Sequence, residues 1–124
     1  MAATREIKWL DAPEDHDYPA ARAFLSLIFE ADDCDRLIEK LKVSGPSISF
    51  SAKDIFRASR LSLLAAGNSH VEKDRQKIDS GKPLSPLLLI RDPRNAQVII
   101  ADGYHRLCAV YSYDEDADIK CRIV

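Results

Sequence analysis

Between Tyr18 and Phe29 the apolar residues Tyr18, Ala21, Leu25, Ile28 and Phe29 fall on one helical stripe with Arg22 at its margin, which predicts an amphipathic helix. Asp17 is placed to cap it, and Pro19 falls in its tolerant first turn. A second helix is signalled by Asp32 and Asp33 followed by Cys34, Leu37, Ile38 and Leu41, ending near Lys42 ahead of Gly45-Pro46. Joined by Glu30-Ala31, the two form an antiparallel hairpin over residues 18–42. It is either a lid over the core or a surface for a protein partner or a second copy. Upstream, Ile7–Leu10 reads as a short strand with Ile7 and Trp9 on one face.

Gly45-Pro46 marks an internal boundary, after which Ser47–Phe50 alternates as a strand does. Ser51-Ala52-Lys53-Asp54 has the form of a capping box, and the helix it opens continues through Leu61, Leu64 and Ala65 until Gly67-Asn68 breaks or kinks it. Ser69-His70-Val71-Glu72 has the same form and opens a helix through Ile78, with Glu72, Lys73, Asp74, Arg75 and Lys77 as its solvated face and His70 exposed. Leu87–Arg91 and Gln97–Ala101 are almost continuously apolar, which suits strands covered on both faces; Asp92-Pro93-Arg94-Asn95 between them makes a hairpin. Ile119, Cys121 and Ile123 alternate with Lys120 and Arg122 and close the chain as a strand. The expected fold is α+β in one domain: a strand and helical hairpin over 1–45, and a small mixed sheet with helices over 46–124.

Composition removes several function classes. At 124 residues the chain buries a core without metal or disulfide support. A net charge of −2 gives no electrostatic reason for broad attraction to nucleic acid or anionic membrane. No apolar run approaches the roughly 18–20 residues of a spanning helix, and Met1–Leu10 lacks a signal-peptide pattern, so a cytoplasmic location is expected. Cys34, Cys108 and Cys121 are odd in number and widely spaced, as reduced small hydrophobes are. His16 sits among Asp15 and Asp17, but consecutive residues converge poorly on a metal, and a solvated loop accounts for them.

The chemistry gathers at Asp102-Gly103-Tyr104-His105-Arg106, where a strand breaks into a helix carried by Leu107, Cys108, Val110 and Tyr111. The first turn of a helix leaves N–H groups without partners, and the positive end of its dipole attracts anions. Gly103 lets a ligand approach the main chain, Tyr104 and His105 add backbone donors, and Arg106 adds a planar cationic fork. Asp102 and His105 are the candidate catalytic pair, as base and proton carrier; Asp102 is equally an ordinary N-cap, and His105 equally a satisfied core group. Arg57 and Arg60 lie three apart on a helix face, either for a second phosphate or for solvent. Cys108 lies three residues from His105, which makes a nucleophile pair conceivable and simple packing the blander account.

Ile99–Ala109, with Asp102-Gly103-Tyr104-His105-Arg106 at its centre, resembles the D-G-x-H-R-x-x-A box of the ParB/sulfiredoxin-like superfamily. Gly81–Ile90 is similar to the G-x-P-x-x-P-apolar segment before that box, and Ile119–Val124 to the closing strand. The resemblance runs from about Ser47 to the end of the chain. It implies a nucleotide-binding domain: CTP in partition proteins, ATP in sulfiredoxins, ADP in a free-serine kinase, with Mg²⁺ on the phosphates positioned by Asp102 as an alternative to its role as base. Tyr104 stands where sulfiredoxin chemistry needs cysteine, no DNA-binding domain follows the box, and Phe56–Arg60 offers no acid where the kinase relatives carry glutamate. What the resemblance leaves is binding of a nucleotide or other phosphorylated small molecule, with or without phosphoryl transfer or hydrolysis. The alternative is a non-enzymatic interaction module with a vestigial phosphate site.

Overall fold

The computed structural model describes residues 6–64 and 67–124, which form an α+β arrangement. In chain order the elements are α1 (Asp17–Leu25), α2 (Ala31–Val43), β1 (Ile48–Ser51), α3 (Ala52–Ser59), α4 (Ser69–Asp79), β2 (Leu87–Asp92), β3 (Gln97–Asp102), α5 (Tyr104–Tyr113) and β4 (Asp118–Ile123). The strands make one mixed sheet in the order β1-β4-β2-β3. β1 pairs antiparallel with β4, β4 parallel with β2, and β2 antiparallel with β3.

Strand periodicity divides the core into two layers. Leu87, Leu89, Val98, Ile100, Ile119 and Cys121 face one way, against Ile55 of α3, Val71 and Ile78 of α4, and Leu107–Val110 of α5. Leu88, Ile90, Ile99 and Ala101 face the other way, against Ala21 and Leu25 of α1 and Cys34, Ile38 and Leu41 of α2. The almost unbroken apolar sequences of β2 and β3 follow from this double coverage. Arg122 of β4 donates from Nη1 to the carbonyls of Leu41 at 3.3 Å and Lys42 at 2.8 Å, tying the sheet to the end of α2. Ala21, Leu25, Cys34, Ile38 and Leu41 of the hairpin are thus buried on the sheet.

Several local expectations are corrected. α1 ends at Leu25, because Leu27 and Ile28 donate to Phe24 and Leu25 in tight i to i−3 bonds; Ile28, placed on the stripe by periodicity, is 52 % exposed. Asp17 is the first helical residue, and no side chain caps α1. α3 ends at Ser59 and does not run on through Leu61 and Leu64, since Arg60 turns left-handed at φ 60° and the Leu61 N–H is taken by the Ser59 hydroxyl at 3.3 Å. Ala65 and Ala66 lie outside the described residues, as does the Met1–Arg5 part of the N-terminal expectation. Ser51 precedes α3 without capping it; the carbonyls of Ala117 and Glu115 take the Ala52 and Lys53 N–H groups at 2.9 Å each. α4 is capped one residue earlier than its Ser-x-x-Glu pattern suggests, by Asn68, whose Oδ1 accepts from His70 and Val71. Ile7–Leu10 shrinks to one parallel bridge between Trp9 and Leu84. No helix among the described residues is long and apolar enough to cross a membrane.

Leu88→Ala removes a fully buried side chain, and a loss of about 2–5 kcal/mol is expected in urea unfolding. Ile28→Ala is expected to stay within about 0.5 kcal/mol of the parent. A large loss in the second variant would contradict the early end of α1.

Candidate functional site

β3 ends at Asp102, and the chain turns into α5 through Gly103 at φ 107°. That conformation is open to glycine and strained for other residues. Space excludes a side chain as well: a Cβ on Gly103 would lie 2.6 Å from Leu87 Cγ and 2.9 Å from Arg106 Nη2. Gly103 is the N-cap of α5 and no side chain caps the helix, so Asp102 is not its cap. The first backbone donor of α5 with an acceptor is Leu107, which bonds to the Gly103 carbonyl at 3.0 Å. The N–H groups of Tyr104, His105 and Arg106 are without acceptors among the described residues, as the start of an uncapped helix requires.

Two of these residues, His105 and Arg106, join Asp102 and Gly103 in lining one side of a cavity of about 190 Å³, whose other side is lined by His70, Lys73, Asp74 and Lys77 of α4. The α4 residues recur at i, i+3, i+4 and i+7, a stripe of the helix that flanks the one burying Val71 and Ile78. Lys73, Asp74 and Lys77 thus belong to the cavity rather than to an undifferentiated solvated face. Arg75 leaves that face and lies 4.3 Å from the centre of the Tyr113 ring. His70 is exposed, as expected, yet its ring sits 4.8 Å from that of His105.

Charge in the cavity is mixed. Arg106 Nη2 donates to Asp102 Oδ2 at 3.0 Å, with both side chains largely buried at 15 % and 18 % exposure. The same nitrogen reaches the Pro86 carbonyl at 3.4 Å, and Arg106 Nε is buried without a partner. The guanidinium is therefore not the free fork that the motif suggested. Lys77 pairs with Asp74 at 4.0 Å, whereas Lys73 has no carboxylate partner among the described residues. Burial pushes the Asp74 carboxyl above its ordinary range, against Lys77, Arg106 and the two imidazoles. Burial likewise raises Asp102, with Arg106 opposing and Asp17 adding to the rise. His105 is lowered by burial and by neighbouring His70, with Arg106 adding to the fall and Asp74 opposing it, so its imidazole is neutral at pH 7.

The remaining candidates separate. Tyr104 does not line the cavity, and its hydroxyl donates to the Ser62 carbonyl. Arg57 is exposed and 4.0 Å from Asp54; Arg60 Nη2 donates to the Ala96 carbonyl at 3.4 Å, beside the start of β3. Neither lines the cavity, and both are exposed. Cys108 is fully buried and its thiol is raised by burial, the state of an inert packing cysteine. Among the described residues no group of three or more His, Cys, Asp and Glu side chains is placed to hold a metal ion. A larger, apolar groove of about 480 Å³ lies between α3 and the Arg91–Val98 end of the β2–β3 hairpin and contains none of the candidate residues.

No protein-family model, no curated protein and no solved structure matches this chain.

Gly103→Ala combines a left-handed backbone with a collision against Leu87, and a loss of about 2–4 kcal/mol is expected in thermal or urea unfolding. A variant as stable as the parent would show that the turn into α5 is not built as described.

Proposed function

We propose that this chain is a ParB/sulfiredoxin-like domain that binds a phosphorylated small molecule, with the phosphate seated at the N-terminus of α5. The likeness to that superfamily rests on the Asp102–Arg106 box and its flanks alone. One observation carries the binding reading: His105 and Arg106, whose backbone N–H groups have no acceptor among the described residues, line the same cavity as Lys73. ATP, ADP and CTP are the ligands that the superfamily resemblance suggests. At about 190 Å³ the cavity is smaller than the roughly 300–1,000 Å³ of sites that enclose a whole small molecule. The phosphates therefore enter and the base stays outside, so the three nucleotides and inorganic pyrophosphate are expected to bind with similar affinity. Mg²⁺ arrives on the phosphates. If the site turns over, in phosphoryl transfer or hydrolysis, His105 is the neutral proton carrier and Asp102 the base.

A specific observation favours a second reading. Arg106 already has a carboxylate partner in Asp102, and Phe24, Leu27 and Ile28 stand 42 %, 84 % and 52 % exposed at the turn of the hairpin. Those two facts fit a non-enzymatic module with a vestigial phosphate site that uses the 18–42 hairpin to hold a protein or a second copy.

Thermal unfolding with ATP, ADP, CTP and pyrophosphate, with and without Mg²⁺, separates the two. Ligand at about a hundredfold its Kd stabilises the parent by about 2.7 kcal/mol, and Arg106→Ala and Lys73→Ala lose that stabilisation. No shift at millimolar ligand transfers the function to the hairpin. Sulfate, which keeps its charge over the same range, reports the pH dependence of the protein side. An anion in the cavity favours the His105 imidazolium, so sulfate binding is expected to tighten as pH falls through the histidine range and to level off above it. Affinity that rises with pH would contradict this.

A further inference from the structure

The groove between α3 and the β2–β3 hairpin, at about 480 Å³, falls in the range of roughly 300–1,000 Å³ that encloses a small molecule. Each strand of the sheet gives it one apolar side chain: Phe50 from β1, Leu89 from β2, Val98 from β3 and Ile123 from β4. Ile55 and Ala58 of α3 add two more. The few polar side chains in the lining are mostly engaged already. Asp92 accepts from Asn95 Nδ2 at 2.9 Å and from Gln97 Nε2 at 3.1 Å, and Asp54 lies 4.0 Å from Arg57. Arg91 stands two residues beyond Leu89 and so on the same face of β2. It is the one polar lining side chain with no hydrogen bond or carboxylate partner among the described residues.

Arginine also gathers at the rim. Arg60 Nη2 donates at 3.4 Å to the carbonyl of Ala96, which lines the groove, and the charge of Arg94 acts on Asp92. Arg57, Arg60, Arg91 and Arg94 thus stand against Asp54 and Asp92, and the local balance is positive. Arg60, at φ 60°, and Ala96, at φ 52°, are the non-glycine residues with positive φ among the described residues, and they meet here. Left-handed backbone at residues that do not favour it gathers at ligand sites.

An occupant that suits this lining is apolar along its body, where no free polar side chain would meet it, and anionic at one end. We infer that the groove binds an amphipathic monocarboxylate: a saturated hydrocarbon chain lies along the sheet face and its carboxylate pairs with Arg91. Arg60 adds to the attraction from the rim. The groove shares no residue with the cavity at the start of α5, so this site stands whether or not phosphate binds there.

Binding of hexanoate, octanoate and decanoate to the full chain, followed by calorimetry and by backbone amide shifts, tests the inference. The Kd is expected to tighten by about two- to fourfold per added methylene until the groove is full, with the amides of residues 55–58 and 96–98 moving. Decanol keeps the chain without the charge and is expected to bind roughly tenfold more weakly than decanoate. Arg91→Gln removes that difference, and because Arg91 is exposed the variant folds as the parent does. Ala58→Phe fills the groove and weakens acid and alcohol alike. Affinity independent of chain length, equal affinity of the parent for decanol and decanoate, or saturable shifts confined to residues 104–106 would overturn the site. So would the absence of binding at millimolar acid, including the case in which a second copy of the chain covers the groove in solution.

Discussion

The close contact between Leu87 and the bare Cα of Gly103 is the constraint on which the rest of the site depends. Leu87 is fully buried and opens β2; Gly103 ends the β3 side of the same hairpin and starts α5. Because a Cβ there would meet Leu87 Cγ at 2.6 Å, the chain passes from strand to helix directly over the core. That passage brings the start of α5 to a cavity it shares with α4 and places Asp102 and Arg106, four apart, on either side of the turn. Both helical layers contribute to holding it: α3, α4 and α5 pack Leu87 and Leu89, while α1 and α2 pack Leu88 and Ile90.

How far the sequence revealed this differs from element to element. The apolar runs of β2 and β3 announced strands covered on both faces, because continuous hydrophobicity at that length has few other uses. The turn at Gly103 was equally visible, because glycine between an apolar strand and an apolar helical stripe has a steric meaning. Helix ends were less legible. Arg60 adopts a left-handed conformation that its residue type does not favour, and Ser51 lost its capping role to the carbonyls of Ala117 and Glu115, which lie far along the chain. Such tertiary partners leave no local trace.

In the site itself, the box residues could be read and their neighbours could not. His70, Lys73, Asp74 and Lys77 carried a signal in their i, i+3, i+4, i+7 spacing, but a polar stripe on a helix has the same spacing when it only faces water. Asp17 carried less: an acidic residue at a helix start reads as a cap, and only the fold shows its carboxyl buried against the Ser85 hydroxyl. Arg57 and Arg60 show the converse, since suitable spacing on α3 did not bring them to the cavity. The engagement of Arg106 by Asp102 could not be foreseen, because an i, i+4 pair across a helix start forms only if the turn before it points the acid inward.

The central claim is that the opening turn of α5 is an anion seat, and backbone amide shifts test it most directly. In proton–nitrogen correlation spectra of the parent titrated with pyrophosphate, the amides of Tyr104, His105 and Arg106 are expected to move downfield together and saturate, with Lys73 perturbed at the same concentrations. Saturable shifts that leave those three amides in place, or no saturable shift at millimolar ligand, would contradict the account.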